Sequence, residues 1–377
     1  MKILHLIPTY KPAYIYGGPI FSISLLCEQL AKAGCEVRML TTTANGPDEL
    51  DVPIGKKVNV DGVETIYFRR LTKDHSHLSP GLMRQVWQDC RRYDVVHIHS
   101  WWNIPVMFSV LACWLRGVRP VLSPRGMLSD FTFQKNSRSP KAIFHRTIGK
   151  FLLRKTHLHL TSEAERQECL DISDDSFVLP NLIQTAESNF LQNLKNEVFT
   201  IAFLSRIHPK KNLEGLFGAL EKVSFDFRLR IAGMGEEAYL EALKKLAASK
   251  GLAEKMEWTG ELHGDKKFRF YANADLFVLP SFNENFANVV IEVLSAGTPV
   301  LISEQVGLSS YIRENGLGWT CGTDATGIAE KLEEIFASKN ELETIRVSAP
   351  QVIERDFSPK ILTRRYIEQY KKLRKNA

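Results

Sequence analysis

Short apolar runs alternate with amphipathic stretches along the whole chain. Lys2–Ile7 reads as a buried strand, and Phe21–Ala33 then places apolar residues at 21, 25, 26 and 30, the spacing of one helix face. Gly34 ends that helix and Glu36–Thr42 resumes as a strand. The same alternation predicts strands at 63–68, 94–98, 119–123 and 156–160, with helices at 80–92, 103–116, 138–154 and 162–170. After a polar stretch, Pro180–Glu197, it restarts. Phe199–Leu204, Arg228–Ala232, Met256–Trp258, Leu276–Leu279 and Val300–Ile302 read as strands. Helices follow at 212–222, 236–250, 264–272, 287–296 and 325–338. Strands separated by helices imply βαβ units and a parallel sheet. The economical reading is α/β: two Rossmann-like domains, at 1–184 and 185–357, with a basic helical segment at 358–377 that crosses back to the first. The cleft between them is the default ligand site.

The 377 residues suit two cores better than one. Hydrophobic residues at 44% and charged residues at 24% exclude a disordered or low-complexity chain. The net charge of +6 is too small to imply nucleic acid, but residues 1–180 carry all of it while residues 181–377 are balanced. From Arg116 to Lys155 there are ten basic residues and one acid, Asp130. Within that stretch Lys141–Arg154 lines positions 143, 144, 148, 151 and 152 into an apolar face flanked by cations. That is the pattern of a helix meeting an anionic membrane surface, or of an ordinary amphipathic helix with solvated lysines. The six cysteines form no CxxC pair, which suits a reducing compartment. The start has no signal-peptide cleavage site. The longest apolar run, Ile104–Leu115, has 12 residues, short of the roughly 20 that span a bilayer. A cytoplasmic protein is expected, with the cytoplasmic face of the membrane as a candidate surface.

Three loops carry chemistry. In the first, Leu276–Leu279 runs into Pro280-Ser-Phe-Asn-Glu284-Asn-Phe-Ala-Asn-Val-Val-Ile-Glu292, so a strand opens into a helix whose first N–H groups suit an anion. Glu284 lies just before that end and Glu292 about two turns down; carboxylates there accept hydrogen bonds from sugar hydroxyls. Alternatively, Glu284 merely favours the helix dipole. In the second, Phe203-Leu-Ser-Arg206-Ile-His-Pro-Lys210-Lys211-Asn212 offers an arginine fork and a lysine point charge to one diphosphate, or is simply a basic surface loop. The third, Ile231-Ala-Gly233-Met-Gly235-Glu-Glu-Ala238, fits a dinucleotide fingerprint with Glu254 or Glu257 downstream, although a tight strand-to-helix turn explains it equally.

In this order and spacing the blocks resemble the retaining GT-B glycosyltransferases of family 4. The resemblance covers 199–303 strongly, through Arg206 and Lys211, Ala232-Gly-Met-Gly-Glu236, Trp258-Thr-Gly260, Glu284–x7–Glu292 and Ala296-Gly-Thr-Pro-Val300. The first half matches more loosely, through Gly17-Gly18, Asp94-Val-Val-His-Ile-His99, Thr161-Ser-Glu163 and Pro180-Asn181. It implies catalytic roles for Arg206, Lys211 and Glu284, the first two holding the donor diphosphate as leaving group. Glu284 with the backbone of Asn285, Phe286, Ala287, Asn288 and Val289 would hold the donor sugar. Glu292 would bind the ribose, the backbone near Leu262 the base, and Gly233, Gly17 and Gly18 would complete the donor site. Members retain anomeric configuration, with the donor phosphate taking the acceptor proton. The chain has no D-x-D triplet, so the resemblance implies no metal and no cofactor beyond the nucleotide-sugar co-substrate, which is expected to be UDP-linked. A glycan or lipid-linked sugar in surface polysaccharide, lipopolysaccharide or glycolipid synthesis would be the acceptor.

Two departures from the family matter. The usual Glu-Gly-Phe-Gly is Glu284-Asn-Phe-Ala287; alanine there permits a helix start but adds a methyl near the sugar. Arg125, in Val121-Leu-Ser-Pro-Arg125-Gly-Met127, stands where many members have a histidine that touches the reacting sugar. It is expected to contact the donor or an acceptor phosphate. Of His97 and His99, one is expected to face the cleft, with His99 as the acceptor contact. Competing readings are an NAD-dependent oxidoreductase, which leaves Arg206, Lys211 and the Glu pair idle, and a glycosidase using the two glutamates. A nucleotide-sugar epimerase of related fold and a non-catalytic nucleotide-sugar-binding protein are the others.

Overall fold

The computed structural model describes residues 1–129, 145–173, 175–187 and 196–375. The chain divides into two compact units, Met1–Leu182 with Pro359–Ala377, and Ile183–Ser358.

The first unit is built on an eight-stranded sheet of β1 (Lys2–Leu6), β2 (Glu36–Thr42), β5 (Lys57–Val60), β6 (Val63–Phe68), β7 (Val95–His99), β8 (Val121–Ser123), β9 (His157–Leu160) and β10 (Ser176–Val178). A two-stranded ribbon, β3 (Ala44–Asn45) with β4 (Asp48–Glu49), stands apart. The sheet order is β10-β9-β8-β7-β1-β2-β6-β5, and every neighbouring pair is parallel except β5 with β6. Central strands covered on both faces read as near-continuous apolar runs, as Ile3, Leu4 and Leu6 do. Leu4, Leu6, Val96 and Ile98 pack with Trp101, Val106 and Val110 in one cluster. The helices include Gly18–Lys32, Ile104–Leu115 and, from the far end of the chain, Pro359–Lys375.

The second unit carries six parallel strands, β11 (Phe199–Leu204), β12 (Phe227–Ala232), β13 (Met256–Gly260), β14 (Leu276–Leu279), β15 (Val300–Ser303) and β16 (Gly318–Cys321), in the order β13-β12-β11-β14-β15-β16. In both sheets the strand order reverses beside the first strand, between β1 and β7 and between β11 and β14. Loops leaving the carboxyl ends of two such strands diverge and leave a crevice for ligands.

Among the described residues the expected elements are present with ends shifted by a few residues, and several more appear. The hairpin β5–β6 turns at Asp61-Gly62, both in the left-handed region at φ 51° and 88°; Asp-Gly between apolar runs is the sequence signal for that turn. Gly318–Cys321 is a four-residue edge strand, Ser309–Glu314 a six-residue helix, and Lys339–Phe357 a helix that tolerates Pro350 inside it. The expected helix at 138–154 begins outside the described residues. Its described part is a π turn, His145–Gly149, followed by Lys150–Leu153.

Candidate active site

In the second unit the loops after β11 and β14 flank the point where the strand order reverses, which is why Arg206, Lys211 and Glu284 share one end of the sheet. The β11 loop closes through a short 3-10 turn, Pro209–Lys211, capped by His208, which accepts from the Lys210 N–H at 3.1 Å. Asn212 holds the loop in place. Lying buried in the left-handed region, it caps the helix Leu213–Leu220 by accepting from Gly215 N–H. Its Nδ2 donates to the carbonyls of Pro280 at 3.0 Å and Thr323 at 2.7 Å, the outlets of β14 and β16. The Phe282 N–H donates to the Lys210 carbonyl at 2.9 Å, lacing the two site loops together. Across this lacing Lys211 Nζ pairs with Glu284 Oε1, both side chains largely buried. Glu284 is fixed by its backbone too, donating to Gln305 at 3.0 Å and accepting from Gly307 at 2.8 Å. Arg206, on the same loop as Lys211, is exposed and has no partner among the described residues.

Phe286 is buried, its ring edge-on to Phe357. Ala287, directly before the helix Asn288–Ser295, sits at φ 64° and ψ 72°. The helix start expected for this alanine therefore forms, but at a left-handed residue where glycine would rest without strain. Asn285, Asn288 and Val289 are half-buried around it. Glu292 accepts from Lys267 Nζ at 2.8 Å and from Tyr271 Oη at 3.0 Å. Leu262 is half-buried in the loop between β13 and the helix Gly264–Ala272.

The Gly233 turn serves packing. A Cβ on Gly233 would lie 1.9 Å from the Ser205 carbonyl oxygen and one on Gly235 2.3 Å from that of Ile207. The Gly233 N–H is already bonded to Gly260 O at 2.8 Å, while the Met234 carbonyl accepts from Ile207 N–H at 2.7 Å. These glycines let the β12 loop lie against the backbone of the Arg206 loop. That close approach favours the tight-turn reading over the dinucleotide fingerprint.

In the first unit Gly17, at φ 70°, ends a short turn and Gly18 opens the helix Gly18–Lys32. His97 and His99, two apart on β7, point to the same face, and both are wholly buried. The expectation that one of them faces a cleft gives way to a buried polar layer across four strands. His159 Nε2 faces the Leu179 carbonyl at 2.8 Å, and a carbonyl only accepts, so that nitrogen carries the proton. His159 Nδ1 therefore accepts from Ser123 Oγ at 2.6 Å, His97 Nε2 donates to the same Oγ at 2.6 Å, and His97 Nδ1 accepts from Tyr370 Oη at 2.7 Å. Tyr366 Oη lies 3.0 Å from both His159 Nε2 and the Pro180 carbonyl. His5 Nδ1 and His99 Nε2 share one hydrogen bond at 3.0 Å, with their rings stacked. Burial, with Arg125 nearby, holds His5 and His159 down to about 3 and His97 and His99 below the ordinary histidine range.

Among the described residues, nitrogens of His5, His97 and His99 also lie within 4.8 Å of one another, close enough to converge on an ion. Both nitrogens of His97 are engaged in the chain above, no carboxylate belongs to the group, and the Arg125 cation is nearby. This favours a neutral hydrogen-bonded layer over a metal site. Arg125 itself leaves β8 at φ 53°, its Nη1 on Asn181 Oδ1 at 2.5 Å and Ser22 Oγ at 3.2 Å.

Sequence reasoning missed Asn212, Lys267, Tyr271, His5, His159, Tyr366 and Tyr370. A histidine inside an apolar strand was the available signal for His5 and His159. The partners of Glu292 lie 25 and 21 residues away, with no pattern linking them.

Comparison with known proteins gives the context. Residues 185–352 match the family described as glycosyl transferases group 1, and residues 17–178 a glycosyl transferase 4-like domain. An uncharacterized glycosyltransferase of Methanocaldococcus jannaschii is 24% identical, the match covering 98% of each chain. Among solved structures, sucrose-phosphate synthase from Thermosynechococcus elongatus superposes with a TM-score of 0.77 at 18% identity, covering 100% of both chains. Anabaena HepE in complex with UDP-glucose superposes at 0.75 and 18%, covering 99% of this chain and 100% of that one. With both halves matched in sequence and the two parallel-sheet units reproduced in fold, this chain belongs to the glycosyl transferases group 1 family and is a glycosyltransferase of GT-B type.

Proposed function

We propose that this glycosyltransferase moves a sugar from a nucleotide-diphosphate sugar, UDP-linked, to a glycan or lipid-linked acceptor with retention of configuration, in the synthesis of a surface polysaccharide or glycolipid. The observation that carries the reading is the Lys211–Glu284 ion pair, set between two loops at the strand-order reversal, with Arg206, unpaired among the described residues, on the same loop as the lysine. Each charge of the pair offsets the cost of burying the other. A diphosphate bound by Arg206 draws Lys211 to itself and releases the Glu284 carboxylate to accept from sugar hydroxyls. Glu292, oriented by Lys267 and Tyr271, keeps lone pairs for the ribose diol.

In the transfer the acceptor oxygen bonds to the anomeric carbon as the bond from that carbon to the diphosphate oxygen breaks, and the acceptor proton passes to the departing phosphate. The protein supplies fixed positive charge where leaving-group charge develops, and no nucleophile. No metal is required by this scheme, so turnover is expected to survive chelation by EDTA. UDP-glucose in HepE supports a UDP-linked donor. Exposed Trp114, Leu115, Ile148 and Phe151 in the first unit, with Arg116 and Lys155 close by, support contact with an anionic membrane surface. Positions 143 and 144 of that expected face lie outside the described residues.

The test is a thermal-shift panel of UDP, GDP, ADP, CMP and NAD, since a ligand binding only the folded state raises its stability. A rise with UDP that disappears in Arg206→Ala is expected. A rise with NAD alone overturns the reading. Conversion of donor with no acceptor present would make the protein an epimerase.

A further inference from the structure

Arg125 is a half-buried cation with no anionic partner among the described residues. The two groups its Nη1 meets, Asn181 Oδ1 and Ser22 Oγ, are neutral, and its buried Nε has no hydrogen-bond partner among the described residues. The acid that acts on it electrostatically is Glu165, but both oxygens of Glu165 are already bound, by Gly126 N–H at 2.7 Å and by Thr161 N–H and Oγ at 2.7 and 3.0 Å. The other groups around it are His5, His97, His99 and His159, held neutral, together with Cys27, Tyr366 and Tyr370. Burial pulls the guanidinium below its ordinary range, in the direction expected where its charge is poorly matched.

A half-buried guanidinium with only neutral hydrogen-bond partners attracts an anion, and its planar fork is the geometry that receives a carboxylate or phosphate through paired hydrogen bonds. The surroundings suit one. Ser22 lies in the second turn of the helix Gly18–Lys32, so Arg125 is tied to the N-terminal half of a 15-residue helix. A Cβ placed on Gly17, just before that helix, would meet nothing within 4 Å, which leaves room for a ligand there.

We propose that Arg125 seats an oxyanion carried by the acceptor, a phosphoryl or carboxylate group docked on its guanidinium beside the helix Gly18–Lys32. The acceptor class is therefore an acidic glycan or a sugar phosphate. This rests on the transferase reading, which is what requires an acceptor.

The test uses the full chain and follows its melting temperature against inorganic phosphate and against glucuronate, each compared with sodium chloride at equal ionic strength. A saturable rise with phosphate identifies a phosphoryl group, and one with glucuronate a carboxylate. In Arg125→Gln the half-saturating concentration is expected to rise about tenfold or more, with Arg125→Lys in between because it keeps the charge and loses the fork. Without ligand, Arg125→Gln is expected to melt at the wild-type temperature or above, since it removes an unmatched charge. No saturable response to either anion overturns the proposal. So does an unchanged half-saturation in Arg125→Gln with a lowered ligand-free melting temperature, which would make the arginine a structural tie. UDP serves as the separating arm. Its effect is expected to be equal in wild type and Arg125→Gln, and its loss in the variant would assign Arg125 to the donor diphosphate and overturn the acceptor site. Absence of a UDP response in the wild type would count against the donor reading while leaving the two anion titrations readable.

Discussion

At the scale of single residues, the donor half of the proposed site rests on three charges that the loops after β11 and β14 bring to one end of the sheet. Replacing Arg206, Lys211 or Glu284 by alanine is expected to cut turnover about 10²-fold or more each, the usual cost of removing one preorganised stabilising group. Initial rates of donor consumption measure this, and near-native turnover in all three variants would sink the assignment. Ala287 gives a second, independent test. An alanine at φ 64° is strained by about 1–2 kcal/mol, partly offset in a glycine variant by the greater freedom of the unfolded chain. Ala287→Gly is therefore expected to stabilise the second unit by about 0.5–1 kcal/mol in denaturant titration, and a loss of stability would show that the methyl packs usefully. Candidate residues could be picked out where they clustered in the chain, as for Arg206 with Lys211 or Glu284 with Glu292. It was not legible where a side chain finds its partner through space: Glu292 could be read as a sugar-binding carboxylate, but nothing in the sequence shows that Lys267 and Tyr271 already hold it.

At the scale of elements, the histidine layer on β1, β7 and β9 has a consequence for pH. Each histidine is neutral when folded, while an unfolded histidine takes up a proton near pH 6.5. Between those values the unfolded chain binds more protons, so stability is fully present above pH 6.5 and falls as the pH drops towards about 3. For His5 and His159 together the loss between pH 6.5 and 5 is about 4 kcal/mol as an order of magnitude, and His97 and His99 act in the same direction. Urea unfolding of the first unit should show this slope, reduced by one proton in His5→Gln; an unfolding midpoint independent of pH between 7 and 5 would contradict it. The strands themselves were legible because parallel, doubly covered strands are uniformly apolar. Gly318–Cys321 was not, because a four-residue edge strand containing glycine has too short a pattern, and Pro350 masked a 19-residue helix whose other positions outweigh the lost hydrogen bond.

At the scale of the whole molecule, the uneven charge of the sequence meets a specific surface. In the first unit Trp114 and Phe151 meet edge-to-face at 5.1 Å, and Lys155 lies over both rings. An exposed aromatic pair beneath a cation suits the interfacial region of an anionic bilayer. Flotation with phosphatidylglycerol vesicles is expected to carry the protein up, phosphatidylcholine vesicles much less, and Trp114→Ala with Phe151→Ala to weaken binding about tenfold. Equal behaviour on both lipids, or none on either, would remove the membrane from the reading. Among the described residues no helix is long and apolar enough to cross a membrane.

The sequence by itself determined the alternation of strands and helices, the parallel sheets and the strand-end placement of Arg206, Lys211 and Glu284. Those depend on local periodicity and on turns a few residues long, which the chain writes in order. Tertiary structure alone decided the rest. It joined Lys211 to Glu284 across 73 residues, because strand order rather than chain order sets which loops are neighbours. It brought Tyr366 and Tyr370 from the last helix onto histidines more than 200 residues earlier, and it set Arg125 against Asn181 and Ser22, 56 and 103 residues away. Each of these is a match between polar groups excluded from water, and such a match exists only once the fold has closed around them.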